Sequence, residues 1–191
     1  MQARSTFETI ARLPRRSTLS TLTAEQLVAL LARYVEETGA AIDLLLVGAL
    51  ALHAYGVSDR ATHDIDGELQ GPIGPLLEFL TAQNIPADLT QNFSGWSVVA
   101  MPPGYRDRAT DLVRQERLRI RLLVPVDFVI AKLRRGTELD HDDASLVAAR
   151  FHLTRSDVRA AADAALAASP QDTSLFLFQK TVDLFCENLP S

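Results

Sequence analysis

The sequence predicts an α/β fold of the α+β kind: a mixed β-sheet flanked by helices, with a C-terminal helical cap. Three observations carry this. Residues 42–47 (Ile-Asp-Leu-Leu-Leu-Val) form a short apolar run closed by Gly48, the pattern of a strand buried on both faces. Residues 118–123 alternate, with Leu118, Ile120 and Leu122 on one side and Arg119 and Arg121 on the other. Beyond Pro125 the apolar residues recur at helical spacing. Residues 1–124 therefore read as N-terminal helices plus the sheet core, and residues 125–191 as a helical region packed on it.

In chain order, a first helix is expected from Ala3 to just before Pro14. Thr23 is a good N-cap for a second, with Gln26 at the third helical position and Leu27, Leu30, Leu31 and Tyr34 at helical spacing. Gly39 stops it. After the strand at 42–47, residues 49–55 make a short apolar helix ended by Gly56. Residues 62–69 alternate as a second strand. Gly71, Pro72, Gly74 and Pro75 mark a loop, and residues 76–83 a helix. A strand is expected at 96–101, before the Pro102-Pro103-Gly104 turn, and a hairpin from 110–114 and 118–123. Pro125 suits a first helical turn and opens a helix that runs to Gly136. Three more helices follow: 140–151, one capped by Ser156 that ends near Ser169, and 172–188. On the last, Leu175, Phe176, Phe178, Val182, Leu184 and Phe185 form an apolar face. Core packing is its default reading; a homodimer or partner interface is the sharper one.

The chain has 191 residues, 47% apolar and 23% charged, enough for one domain with a proper core. No run of about 18 apolar residues exists, so no membrane span is expected. The Arg- and Ser/Thr-rich start has no apolar stretch of the secretory kind, and an amphipathic transit peptide is the weaker alternative. Cys186 is alone, which excludes an intrachain disulfide and suits a reducing, cytoplasmic location. Net charge is −5, which argues against a globally basic nucleic-acid binder. Between Arg106 and Arg135, however, nine basic groups face four acidic ones. That stretch reads either as a phosphate-holding patch or as a solvated strand face.

Asp64-Ile65-Asp66 is where chemistry is expected. On a strand, residues i and i+2 share a side, so the two carboxylates are presented together and Ile65 turns to the core. Like charges this close raise each other's pKa unless a cation neutralises them. Hard divalent ions take such oxygen ligands, together with waters and substrate phosphates. Gly48 closes one strand and opens a helix, a junction where backbone N–H groups favour an anion and a missing side chain allows close approach. A phosphate cradle beside a metal-binding pair suits phosphoryl or nucleotidyl transfer.

With these residues in place, the sequence resembles a known family. The stretch Leu46-Val47-Gly48-Ala49-Leu50-Ala51-Leu52-His53-Ala54-Tyr55-Gly56, followed by Arg60, Thr62 and Asp64-Ile65-Asp66, looks like the opening of the minimal nucleotidyltransferases. These include the AbiEii and MenT toxins and related bacterial nucleotidyltransferase-like proteins. Residues 125–133 and the Asp140-His141-Asp142-Asp143 element, which fits their D-x-x-D, add two blocks in the family's order. The resemblance spans about residues 42–150 and implies the nucleotidyltransferase fold. By it, Gly48 and Ala49 would border the triphosphate, and Asp64 and Asp66 would hold Mg²⁺ or Mn²⁺. Lys132 would contact phosphate or orient the nucleotide, with Arg135 beside it among the nucleotide-binding residues. Asp140 and Asp143, three apart on a helix, would position Lys132 or the acceptor; complementing the helix dipole is their alternative role. Two departures stand out. The turn is Gly48-Ala49 where relatives commonly carry Gly-Ser or Gly-Gly. The strand at 118–123, best placed to supply a third carboxylate, offers Arg119 and Arg121, which leaves Asp111 and Asp127 as substitutes.

The function so implied is metal-dependent transfer of a nucleoside monophosphate from a nucleoside triphosphate to an acceptor hydroxyl on tRNA, protein or a small molecule. The analogy extends to a toxin–antitoxin role with a cognate antitoxin. The alternative is a catalytically degenerate binding or interaction module that keeps the fold. His63 reads as shaping the strand, and Trp96 as core or as an aromatic near the cleft for stacking on a base.

Overall fold

A computed structural model describes residues 22–57 and 62–190. The helix expected after Ala3 and the position of Arg60 lie outside the described residues. The helix α1 (Ala24–Thr38) begins as its sequence predicts: Thr23 and Gln26 form a reciprocal capping box, and Gly39 ends it in the left-handed region. Leu27, Leu31 and Tyr34 are its buried stripe.

Strand β1 (Ile42–Leu46) leads through Gly48 into α2 (Ala49–Tyr55). Strand β2 (Ile65–Gln70) starts three residues later than the alternation predicts, so Asp64 precedes it and Asp66 lies within it. Helix α3 (Ile73–Ala82) absorbs Gly74 and Pro75, which read as loop. Proline is tolerated there because a first-turn N–H has no intrahelical partner to lose. A four-residue strand, β3 (Ala87–Thr90), follows where none was expected. The strand expected at 96–101 is instead a 3₁₀ turn at Phe93–Trp96 and a loop. The short helix α4 (Tyr105–Arg108) precedes the predicted hairpin, β4 (Thr110–Arg114) and β5 (Leu118–Leu122).

The C-terminal third is helical, as expected: α5 (Pro125–Leu133), α6 (Glu138–Arg150), α7 (Arg155–Ala167) and α8 (Ser174–Glu187). Thr137 caps α6, so Asp140 sits in its first turn. Thr154, in a capping box with Asp157, caps α7 in place of Ser156.

The five strands run in the order β3-β2-β1-β5-β4. The central β1 pairs antiparallel with β2 and parallel with β5; β3 is parallel to β2, and β4 antiparallel to β5. This register sorts the sheet by side. Leu44, Leu46, Ile65, Leu69, Leu118 and Ile120 share one face and are buried. Each such side chain contributes about 1.5–3 kcal/mol relative to exposure. The other face carries Asp43, Asp66, Glu68, Arg119 and Arg121. The apolar core continues into the C-terminal helices through Phe128, Ile130, Val147, Val158 and Val182. On α8, Phe178, Val182 and Phe185 are buried, whereas Phe176 and Leu184 are exposed, so the predicted apolar face divides between core and surface.

The arginine-rich stretch is not a patch of unpaired cations, although Arg106, Arg108, Arg114, Arg117 and Arg135 are exposed to solvent. Each of its nine cations has a partner within the protein. Glu68 receives Arg106, and Asp43 receives Arg121 at 2.7 Å. Asp111 receives Arg114 and Arg119, and Asp127 receives Arg108 at 3.0 and 3.1 Å. Arg117 donates to the Gly39 carbonyl, and Arg134 to those of Val99 and Ser94. Lys132 and Arg135 face the acids of α6. Many of these acids lie outside the stretch, which is why its local charge balance misleads.

Candidate functional site

A cleft of about 410 Å³ opens where β2 begins, between the sheet and the α5–α6 corner. Its sheet wall is Ala49, Thr62, His63, Asp64, Asp66 and Pro86. Its helical wall is Lys132, Arg135, Leu139, Asp140 and Asp143. The fold thus brings together Ala49, Asp64, Asp66, Lys132, Arg135, Asp140 and Asp143, from segments up to about 90 positions apart, with Gly48 directly behind Asp66.

Gly48 stands behind the sheet wall. Its backbone is extended, with φ −93° and ψ −157°, so no conformational demand requires glycine there. The requirement is steric. A Cβ at position 48 would lie 2.7 Å from Asp66 Cβ and 2.8 Å from its Cγ, and closer still to Oδ2. The backbone bond from Val47 N–H to the Asp66 carbonyl, 3.1 Å, holds the two segments at this distance. The glycine leaves room for the carboxylate that the strand presents.

The Asp66 carboxyl is pushed up to about 6, first by burial and then by the charge of Asp64. Asp88 pushes in the same direction, while Arg135 and Lys132 pull the other way. Asp64 Oδ1 accepts a bond from the Thr62 hydroxyl at 2.7 Å, which fixes that carboxylate at the cleft wall. On the opposite wall Lys132 is buried. Its Nζ donates to Asp143 Oδ2 at 2.7 Å and lies 3.5 Å from Asp140 Oδ1. Arg135 Nε sits 3.2 Å from Asp140 Oδ2, with half of its side chain still exposed. Asp140 also accepts from the Thr137 hydroxyl, so the cap of α6 and the ion network share one carboxylate.

The substitutes for a third carboxylate do not reach the cleft. Asp111 is taken up by Arg119 and Arg114 at the β4 edge, and Asp127 by Arg108 at the start of α5. The strand neighbour of Asp66 is instead Asp88, its register partner on β3 and on the same face. Among the described residues, no group of three or more His, Cys, Asp or Glu side chains is placed to hold one metal ion as it stands. Trp96 packs edge-on against Phe93, with ring centres 5.0 Å apart, and does not line the cleft; His63 does.

Sequence reasoning missed Asp88 because four residues after Ile85-Pro86 are too few to show alternation. It also missed Glu68, although Asp64, Asp66, Glu68 and Gln70 continue one period of two. Glu68 is buried and accepts from Tyr105 Oη at 2.6 Å, from the Phe93 backbone at 3.0 Å and from Arg106. These bonds hold its carboxyl below the usual range despite burial, and they pin the 93–106 segment across the polar side of the sheet.

A mixed sheet whose central strand turns through glycine beside a D-x-D strand, with cations facing it from a helical corner, defines a nucleotidyltransferase-like α/β fold. Residues 25–176 match the sequence profile described as nucleotidyltransferase of unknown function (DUF6036), so the chain belongs to that family. Neither the curated proteins nor the solved structures yielded a significant match. Among the described residues, no helix is long and apolar enough to cross a membrane.

Proposed function

We propose that the protein transfers a nucleoside monophosphate from a nucleoside triphosphate to an acceptor hydroxyl, with a divalent cation held at Asp64 and Asp66. The carrying observation is the meeting of Asp64 and Asp66 with Lys132 and Arg135 across one cleft in a member of a nucleotidyltransferase family. The donor set fits Mg²⁺ or Mn²⁺: two hard carboxylates, one with its pKa raised to about 6, in a cleft with room for phosphates and waters. When bound, the ion would neutralise the pair and stabilise charge developing on the phosphates.

The chain's own residues do the rest. Arg135 and Lys132 bind and orient the triphosphate from the helical wall. Asp140 and Asp143 hold the Lys132 ammonium at the helical wall. Gly48 preserves the seat of Asp66, and Asp88 stands beside it as its register partner on β3. In the reaction the acceptor oxygen bonds to the α-phosphorus, the bond to the β-phosphate oxygen breaks, and pyrophosphate leaves. The hydroxyl proton passes to a cleft carboxylate or water. By resemblance to the AbiEii and MenT toxins, tRNA is the first acceptor to try, protein the second, and an antitoxin partner follows from the same analogy.

Incubation with α-labelled nucleoside triphosphates and Mg²⁺ tests this against Asp64→Asn and Asp66→Asn variants. Label transfer that both substitutions abolish, and that chelation removes, supports the reading. Cation-dependent nucleotide binding without transfer to any acceptor supports a second one, a binding module. The close Lys132–Asp143 pair favours that alternative, because Asp143 already neutralises the cation.

A further inference from the structure

Six charged side chains line the cleft, and beside them stand three apolar ones, Ala49, Pro86 and Leu139. Leu139 is 53% exposed although it lines the cleft, and Pro86 opposite it is exposed as well. Their positions follow from the fold. Thr137 caps α6, which puts Leu139 in the first turn, one helical turn before Asp143 and on the same side. The bond from Ile65 N–H to the Pro86 carbonyl, 3.0 Å, sets Pro86 beside the entry to β2. The β2–β3 register, Ile65 with Ala87 and Asp66 with Asp88, continues back to set Pro86 beside Asp64. With Ala49 on the sheet wall only partly exposed, each wall therefore offers one exposed apolar side chain, Pro86 next to the carboxylate pair and Leu139 next to the Lys132 network. Neither carries a hydrogen-bonding side-chain group. An exposed leucine alone needs no explanation, but two exposed apolar groups on opposite walls of a cleft that also holds six charges mark where a ligand turns apolar.

Resting on the nucleotidyl-transfer reading, we propose that Leu139 and Pro86 form the jaws that hold the nucleobase of the triphosphate, packing on its faces rather than reading its edge. A base is the apolar, flat part of a nucleotide, joined through the ribose to the very phosphates that the charged wall would bind. Burying the exposed half of Leu139 against it makes the nucleoside part worth about fivefold to tenfold in affinity.

The test is titration calorimetry of the full chain in Mg²⁺, comparing ATP with inorganic tripolyphosphate, for wild type, Leu139→Ser and Leu139→Phe. Because Leu139 is half-exposed, neither substitution threatens the fold. The wild type should bind ATP about fivefold to tenfold tighter than tripolyphosphate. Leu139→Ser should weaken ATP about fivefold to tenfold and leave tripolyphosphate unchanged, and Leu139→Phe should preserve the preference for ATP. An ATP-to-tripolyphosphate ratio that Leu139→Ser does not move overturns the proposal, as does equal weakening of both ligands. Tripolyphosphate binding with no preference for ATP in the wild type sinks the jaws alone. Binding of neither ligand sinks the jaws and the nucleotidyl-transfer reading together.

Discussion

Replacing Gly48 by alanine should unseat Asp66. Alanine can adopt the extended backbone at this position, so the whole effect comes from the new methyl group. It would meet Asp66 Cβ at 2.7 Å and Cγ at 2.8 Å, well inside van der Waals contact. The Cβ of a strand residue cannot swing aside, so either β2 or the turn must give. Overpacking of this kind costs about 1–3 kcal/mol. For a domain of this size that lowers Tm by roughly 2–10 °C. Urea denaturation of four proteins isolates the cause: wild type, Gly48→Ala, Asp66→Gly and the double variant. In the Asp66→Gly background no side chain remains to collide, so Gly48→Ala should become nearly neutral, with a coupling energy of about 1–2 kcal/mol. If Gly48→Ala costs the same in both backgrounds, the contact with Asp66 is not what position 48 accommodates.

Asp66 also carries a pH signature. Its folded pKa of about 6 lies above the unfolded value near 4, so between these the folded chain binds more protons and stability falls as pH rises. Asp66→Asn should flatten that slope in denaturation series at pH 4 to 7, and Mg²⁺ should oppose it in the wild type alone. Glu68 behaves oppositely: with its pKa lowered, its contribution is present at neutral pH and is lost as pH falls through the folded value. Glu68→Ala should cost about 2–4 kcal/mol by urea denaturation, and Tyr105→Phe about 1 kcal/mol. Lys132→Ala removes the cation that Asp140 and Asp143 both face, and should destabilise by about 3–5 kcal/mol. The double variant Lys132→Ala/Asp143→Ala should recover part of that loss in the same assay.

What the sequence reveals follows from the range of the forces involved. Thr23 with Gln26, Gly39 and Pro125 act within a few residues, so the bounds of α1 and the start of α5 are readable from local chemistry. Strand β1 is readable because both of its faces are buried, and β5 because its alternation is unbroken. Asp64 and Asp66 announce themselves by spacing, and Lys132, Asp140 and Asp143 by family resemblance. What could not be read depends on distant pairing. Arg121 looks like a surface residue until Asp43, 78 positions away, is set beside it. Strand β3 is held by its register with β2 rather than by its own four residues, and Asp88 stayed hidden with it. Leu139 gives no signal at all until the cleft around it is assembled.

The Lys132–Asp143 pair ties α5 to α6 with the same ammonium group that a phosphate would seek. Occupancy and cohesion therefore compete for one cation. A guest that draws Lys132 toward the sheet slackens the corner between the two helices, so the amides of early α6 should exchange their hydrogens faster as the cleft fills.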